Sequence, residues 1–204
     1  MRLLAIDCAT EACSVALFEG DDLLGYRHAV LGRGHAERLV PMIAELPGRG
    51  EAAEIRVGLG PGSFTGTRIG LAAARALGIA WGARVLGFPT LALVAALARS
   101  EGAEEVTVCM TGGHGEWFVQ DFGANGIPDG DYLSLKPEAA AAREVRAHIA
   151  GSKAQALADL LDAPAVRPLD LLPDARLVPA LPQALLTDRL APIYGRPPDA
   201  RPAQ

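Results

Sequence analysis

The sequence predicts an α/β fold, and three observations carry that prediction. Over the first 30 or so residues, short apolar blocks are separated by turn signals; strand-length and helix-length blocks then alternate to about residue 100. A glycine-rich stretch, Gly60 to Gly70, stands between a strand-length block and a helix-length one. Of the 204 residues, 50% are hydrophobic and 21% charged, which supplies a sizeable core and excludes a disordered chain. At about 150 residues per domain, the length fits one large domain or two small lobes.

The elements follow in order. Residues 3–6 form an apolar strand that ends at Asp7. Cys13 to Phe18 is a second strand, Glu19-Gly20-Asp21-Asp22 a turn, and Leu23 to His28 a third strand, so the chain opens with a β-meander. His35 to Leu46 carries Leu39, Val40, Met42, Ile43 and Leu46 at helical spacing. Pro41 within it predicts a helix that starts near Arg38 or is kinked. Ile55 to Leu59 is a short strand, the helix behind the glycine stretch runs to about Trp81, Arg84 to Gly87 is another strand, and Thr90 to Ala98 another helix. Residues 1–100 thus read β-β-β-α-β-α-β-α and form the first unit. Residues 101–204 form the second, with strands at Val106–Met110 and Glu116–Phe122 and a helix at Ala139–Ile149. Dense prolines after Ala163 predict short helices and loops, and the tail 196–204 is expected to be disordered. No internal repeat stands out in the sequence.

Charge and cysteine usage narrow the function classes. With a net charge of −5 and a pI of about 5.4, the chain is poorly suited to grip nucleic acid alone, so a tRNA or DNA role needs a partner that supplies positive charge. Cys8, Cys13 and Cys109 are odd in number and without close pairs, which favours reduced thiols and a cytoplasmic location, and Cys8 and Cys13 read as buried small hydrophobes and not as nucleophiles. Asp7 interrupts the first apolar run too early for a signal peptide. The most apolar window, Ile69 to Leu97, is broken by Arg75, Arg84 and Pro89, so no membrane span is expected.

Two segments could carry chemistry. The Gly60–Gly70 turn exposes backbone N–H groups at a helix N-terminus, which suits an anion, and Ser63 or Thr65 can cap that helix. It is neither a Walker A loop nor a dinucleotide fingerprint, and a tight structural turn explains the spacing equally well. Asp7-Cys8-Ala9-Thr10 ends the first strand and could hold phosphate oxygens or a magnesium-bound water, or simply form a capped turn. Asp7, Thr10, Gly62 and Ser63 are therefore the candidate phosphate-binding residues. In the following helix, Ile69, Ala72, Ala73, Ala76, Leu77 and Ala80 read as a core stripe. Gly66, Gly70, Ala74 and Gly78 recur every four residues on another line. Glycine within a helix costs about 1 kcal/mol relative to alanine, and small residues let a second helix approach closely. The line serves either packing inside the monomer or a helix–helix subunit interface, and the interface reading pairs it with His35, Leu39, Met42 and Ile43 of the preceding helix. No Cys/His zinc spacing, no HxxxH pair and no nucleophile elbow occur, so no catalytic and no metal-binding residue is assigned.

Asp7–Thr10, the run His35-Ala36-Glu37-Arg38-Leu39-Val40-Pro41-Met42-Ile43 and the string Gly60-Pro61-Gly62-Ser63-Phe64-Thr65-Gly66-Thr67-Arg68-Ile69-Gly70 together resemble the TsaB (YeaZ) family of bacterial tRNA threonylcarbamoyladenosine biosynthesis proteins. The resemblance covers residues 1–100, with weaker traces at Gly151-Ser152-Lys153-Ala154 and Ala191-Pro192-Ile193-Tyr194-Gly195-Arg196. It implies a two-lobed actin/hexokinase/Hsp70-like (ASKHA) fold of mixed sheets flanked by helices. It also implies two partners, a TsaD-like catalytic subunit and a TsaE-like ATPase. Their assembly moves a threonylcarbamoyl group to adenosine 37 of tRNAs that read codons beginning with A. TsaD holds its metal through an HxxxH motif, whereas the matching stretch here, Phe88-Pro89-Thr90-Leu91-Ala92-Leu93-Val94-Ala95, has no ligand. The resemblance thus implies a non-catalytic scaffold, a homodimer when alone, that meets tRNA only through the complex. It binds no cofactor by itself, with ATP or ADP admitted in the assembly. The alternative is a nucleotide-dependent kinase or hydrolase acting alone through Asp7, Thr10 and the glycine loop.

Overall fold

The computed structural model describes residues 1–194, so the expected disorder of 196–204 lies outside the described residues. The chain opens with strands β1 (Arg2–Asp7), β2 (Ala12–Glu19) and β3 (Asp22–Val30), joined by tight turns. Helix α1 (His35–Ala44), strand β4 (Glu54–Gly58), helix α2 (Phe64–Trp81) and strand β5 (Arg84–Phe88) follow. They complete a mixed sheet ordered β3-β2-β1-β4-β5, antiparallel through β1–β3 and parallel across β1, β4 and β5. β1 is apolar on both sides because both faces are covered. Leu4 and Ile6 join the core beneath α1 and α2, while Leu3 and Ala5 join the core on the opposite face.

Helix α3 (Thr90–Ser100) leads to a second sheet. Its strands are β6 (Val106–Thr111), β7 (Trp117–Phe122), β8 (Leu133–Leu135), β9 (His148–Ala150) and β10 (Arg167–Leu169), with the short helix α4 (Pro137–Ala141) and helix α5 (Ala154–Leu161) between them. The order β8-β7-β6-β9-β10, with the first three antiparallel and the last three parallel, repeats the first sheet's topology. That repeat, absent from the sequence, is carried by topology alone. α3 is buried almost throughout and sits within one core that takes in Phe88, Leu91 and Val94 together with Val106, Val108 and Phe122. Past residue 174 the chain returns to the first lobe: the Ala175 N–H donates to Ser14 Oγ at 2.9 Å, and Thr187 bridges Gly87.

Two expectations need correction. α1 begins at His35, not near Arg38; Pro41 is its seventh residue and lies on the exposed side, where its missing N–H is tolerated. The helix expected over Ala139–Ile149 is only α4, followed by strand β9. The alanine run favours helix, but the Arg146 N–H is held by Thr107 Oγ1 at 2.9 Å and His148–Ala150 pairs with β6, so tertiary pairing overrides local propensity. α5, rich in alanine and leucine, was not anticipated.

Candidate functional site

Strand β1 delivers Asp7 to the base of the turn joining it to β2. Its carboxylate is buried, 1% exposed. Oδ1 accepts the Ala9 N–H at 3.0 Å, and Oδ2 accepts the Thr90 hydroxyl at 2.8 Å. Thr90 Oγ1 in turn accepts the Gly60 N–H at 3.2 Å. Burial raises the Asp7 carboxyl from 3.8 to about 6, opposed by those two hydrogen bonds and by the nearby His35. Gly58 must be glycine, because a β-carbon there would overlap the Asp7 carboxylate. The Thr10 hydroxyl accepts the Ala12 N–H at 3.1 Å, and His35 Nε2 lies 2.9 Å from the Thr10 carbonyl and 3.3 Å from that of Ala12.

The glycine loop closes onto this turn. The Ser63 N–H donates to the Ala9 carbonyl at 2.6 Å, and a β-carbon at Gly62 would collide with the same oxygen. Ser63 caps α2, its hydroxyl accepting the Gly66 N–H at 3.2 Å. Asp7, Thr10, Gly62 and Ser63 are thus brought together, with the Asp7 carboxylate, the Ser63 N–H and the Thr10 hydroxyl each bonded to neighbouring protein groups.

The helix pair α1–α2 revises the expected interface. Gly66, Gly70, Ala74 and Gly78 face their own sheet. A β-carbon at Gly66 would strike the Cys8 carbonyl, and one at Gly78 would strike Val85. At Gly70 it would lie 3.5 Å from Cys8 Cβ and 3.7 Å from Val57 Cγ2. The small-residue line therefore seats α2 closely on β1, β4 and β5 within one protomer. His35, Leu39, Met42 and Ile43 are likewise buried inside the protomer. The residues read as a core stripe point outward or half-outward: Ala72, Ala76 and Ala80 are exposed, and Ile69, Ala73 and Leu77 half-buried. The two faces of α2 are thus the reverse of the expectation. The close approach that the glycines permit is to a sheet, not to a second helix.

That reversal leaves apolar side chains in water. Val40 is 57% exposed and Ile79 is 86% exposed. Val40, Ala44, Leu77 and Trp81, with Arg49 and Glu51 at its edge, line a groove where α1 meets α2. At the other end of α2, the Arg68 guanidinium stacks 3.6 Å from the Phe64 ring centroid and its Nη2 donates to the Tyr194 hydroxyl at 2.9 Å. Val40, Ile79, Thr90 and Tyr194 are not among the candidate site residues read from the sequence. An isoleucine off the glycine line, in a helix whose glycines demand a close neighbour, is the signal that would have marked Ile79 as outward-facing. In the second lobe, the Ser134 hydroxyl donates to Glu116 at 2.7 Å, and His114 takes a left-handed turn with its carbonyl held by Lys136. Among the described residues, no three His, Cys, Asp or Glu side chains cluster as a metal site, and no helix is long and apolar enough to cross a membrane.

Two lobes of one repeated topology joined through a shared helix define an actin-like, two-lobed α/β protein. A family model described as TsaD, tRNA N6-adenosine threonylcarbamoyltransferase, matches residues 29–127. The chain is 36% identical over 148 residues to the tRNA threonylcarbamoyladenosine biosynthesis protein TsaB of Escherichia coli, a match that spans 68% of this chain and 64% of that relative. It is 39% identical over 101 residues to TsaB of Haemophilus influenzae, across 47% of this chain and 41% of that one. The match thus spans less than two thirds of the length of either relative. The solved structure of YeaZ from Pseudomonas aeruginosa superposes with a TM-score of 0.79 at 29% identity, covering 95% of this chain and 99% of that one. The chain belongs to the TsaB/YeaZ family.

Proposed function

We propose that this chain is the accessory subunit of an assembly that forms threonylcarbamoyladenosine in tRNA, and that it docks a TsaD-like catalytic subunit on the outward face of α1 and α2. The names of its relatives support the modification, and the exposed apolar side chains on α1 and α2 support the docking face. The observation that carries it is the apolar groove that Val40, Ala44, Leu77 and Trp81 line between the two helices, with Val40 on α1 and Ile79 on α2 both largely exposed. An apolar patch on paired helices marks a partner surface. In isolation the same face would pair two copies of the chain. Adenosine 37 as the target, a TsaE-like ATPase as further partner, and ATP or ADP bound only within the assembly complete the reading. Contact with tRNA would come through the partner, since the chain carries a net charge of −5.

The chain itself would be non-catalytic. The start of α3, where the catalytic paralogue carries its metal ligands, presents buried Leu91, Ala92, Leu93, Val94 and Ala95. The rival reading, a nucleotide-dependent kinase or hydrolase, needs Asp7 and the glycine loop turned toward a ligand, whereas the Asp7 carboxylate and the Ser63 N–H are bonded to the protein itself.

Affinity copurification with the TsaD-like subunit tests the proposal. Val40→Asp and Ile79→Asp should each abolish copurification without changing the thermal melt, while Leu133→Asp, on an exposed strand of the second lobe, should bind normally. Normal binding by both helix variants would refute the docking face; ATP turnover by the purified chain, lost on Asp7→Ala, would establish the rival.

A further inference from the structure

Cys8 and Cys13 sit one step beyond the last paired residues of the opening hairpin, Asp7 opposite Ser14, and face each other across it. Their sulfurs are 3.4 Å apart and share a hydrogen bond. Residues opposite one another in an antiparallel pair have Cα atoms about 4.5–5.5 Å apart, within the roughly 4.4–6.8 Å that a disulfide spans. Only a modest approach of the two sulfurs separates this pair from a covalent bond. We propose that Cys8 and Cys13 are a redox modification site, closed to an intramolecular disulfide by a peroxide and reopened by a dithiol. The inference is independent of the partner reading above.

The chemistry of the two thiols is complementary. The sulfur–sulfur hydrogen bond, helped by Arg38 and opposed by burial and Asp7, lowers the Cys13 thiol below its ordinary range. The same bond, together with burial and Asp7, raises Cys8 well above it. In the proposed closure Cys13, the lower of the two, takes the attacking role and Cys8 the resolving one. In the first step the Cys13 sulfur bonds to one peroxide oxygen and the O–O bond breaks. The departing hydroxide takes the proton given up by Cys13, leaving water and a Cys13 sulfenic acid. In the second step the Cys8 sulfur attacks the Cys13 sulfur, the S–S bond forms and the S–O bond breaks. Hydroxide leaves with the Cys8 proton as a second water. Two thiols are oxidised by two electrons in all, and one hydrogen peroxide is reduced to two waters. Both sulfurs are buried, so the reaction follows local opening of the turn. Cys109 provides an internal control: it is buried away from any second thiol, and burial pushes it up to about 12.

The site is mechanically connected. His35 of α1 reaches the Thr10 and Ala12 carbonyls inside the four-residue loop that the disulfide would close. On the other side, Gly66 and Gly70 of α2 rest against Cys8. A covalent clasp there fixes the point on which both helices bear.

The test treats the native full chain with hydrogen peroxide, then alkylates it under denaturing conditions and measures the intact mass. The expected result is the loss of two hydrogens with only Cys109 alkylated. Cleavage after Glu11, which lies between the two cysteines, should then yield two peptides joined by a bond that dithiothreitol separates. Cys109→Ser should give the same result, and Cys13→Ser should not. Alkylation of both Cys8 and Cys13 after peroxide, their conversion to sulfinic or sulfonic acids, or a bond between two chains would each overturn the proposal. The wild-type and Cys109→Ser measurements decide it even if Cys13→Ser fails to fold.

Discussion

Asp7 stores a stability deficit that a single substitution should release. Its carboxyl is held at about 6 in the folded chain against an ordinary 3.8, chiefly because burial disfavours the charge. The folded state therefore binds this proton more tightly than the unfolded one. The stabilisation it gives is fully present below pH 3.8 and is lost as the pH rises through 6. The size of that loss is about 3 kcal/mol. Asp7→Asn removes the ionisation while keeping an oxygen for the Ala9 N–H. Its amide can face Thr90, whose hydroxyl can turn to accept. At about pH 7 the variant should exceed the wild type in stability by up to about 3 kcal/mol, and at about pH 4 the gain should shrink or vanish. Urea unfolding of both proteins across that range measures the difference directly. A gap between the two that stays constant with pH would show that Asp7 titrates as an ordinary surface carboxyl, and the argument from its burial would fail.

Three further outcomes are expected. Gly66→Ala should destabilise the fold by about 1–2 kcal/mol in thermal or urea unfolding. The usual helix gain of about 1 kcal/mol is outweighed by collision with the Cys8 carbonyl; a raised melting temperature would contradict the close helix–sheet seating. Ser63→Ala removes the hydroxyl that caps α2 and should cost about 1 kcal/mol in urea unfolding. An aspartate at Val40 or Ile79 should leave stability unchanged within about 0.5 kcal/mol, because both side chains are already in water.

The order of elements in the first lobe was legible because each block obeys one period. Asp7 ends β1, Gly20 turns the hairpin, and Gly82 terminates α2. In the second lobe, His148–Ala150 reads as helix locally and becomes strand only because β6 offers it a partner. The orientation of α2 was misread for a related reason. Leucine and isoleucine ordinarily mark the inner face, but Gly66, Gly70, Ala74 and Gly78 allow a separation from the sheet that larger side chains forbid, and that geometry sets the helix's rotation. The meeting of Asp7 with Thr90 could not be read at all, since 83 positions separate them and only the parallel pairing of β1, β4 and β5 brings them together.

The shared burial of α3 has a mechanical consequence. Enzymes that fold around a substrate need a seam along which their halves can swing. Here Phe88, Leu91 and Val94 interlock with Val106 and Phe122 in one unbroken apolar mass. The stretch from Thr187 to Tyr194 is stitched across both halves, through Ile193 to Leu59 and through Tyr194 to Tyr132. Swinging the halves apart would mean wetting that mass and parting those stitches.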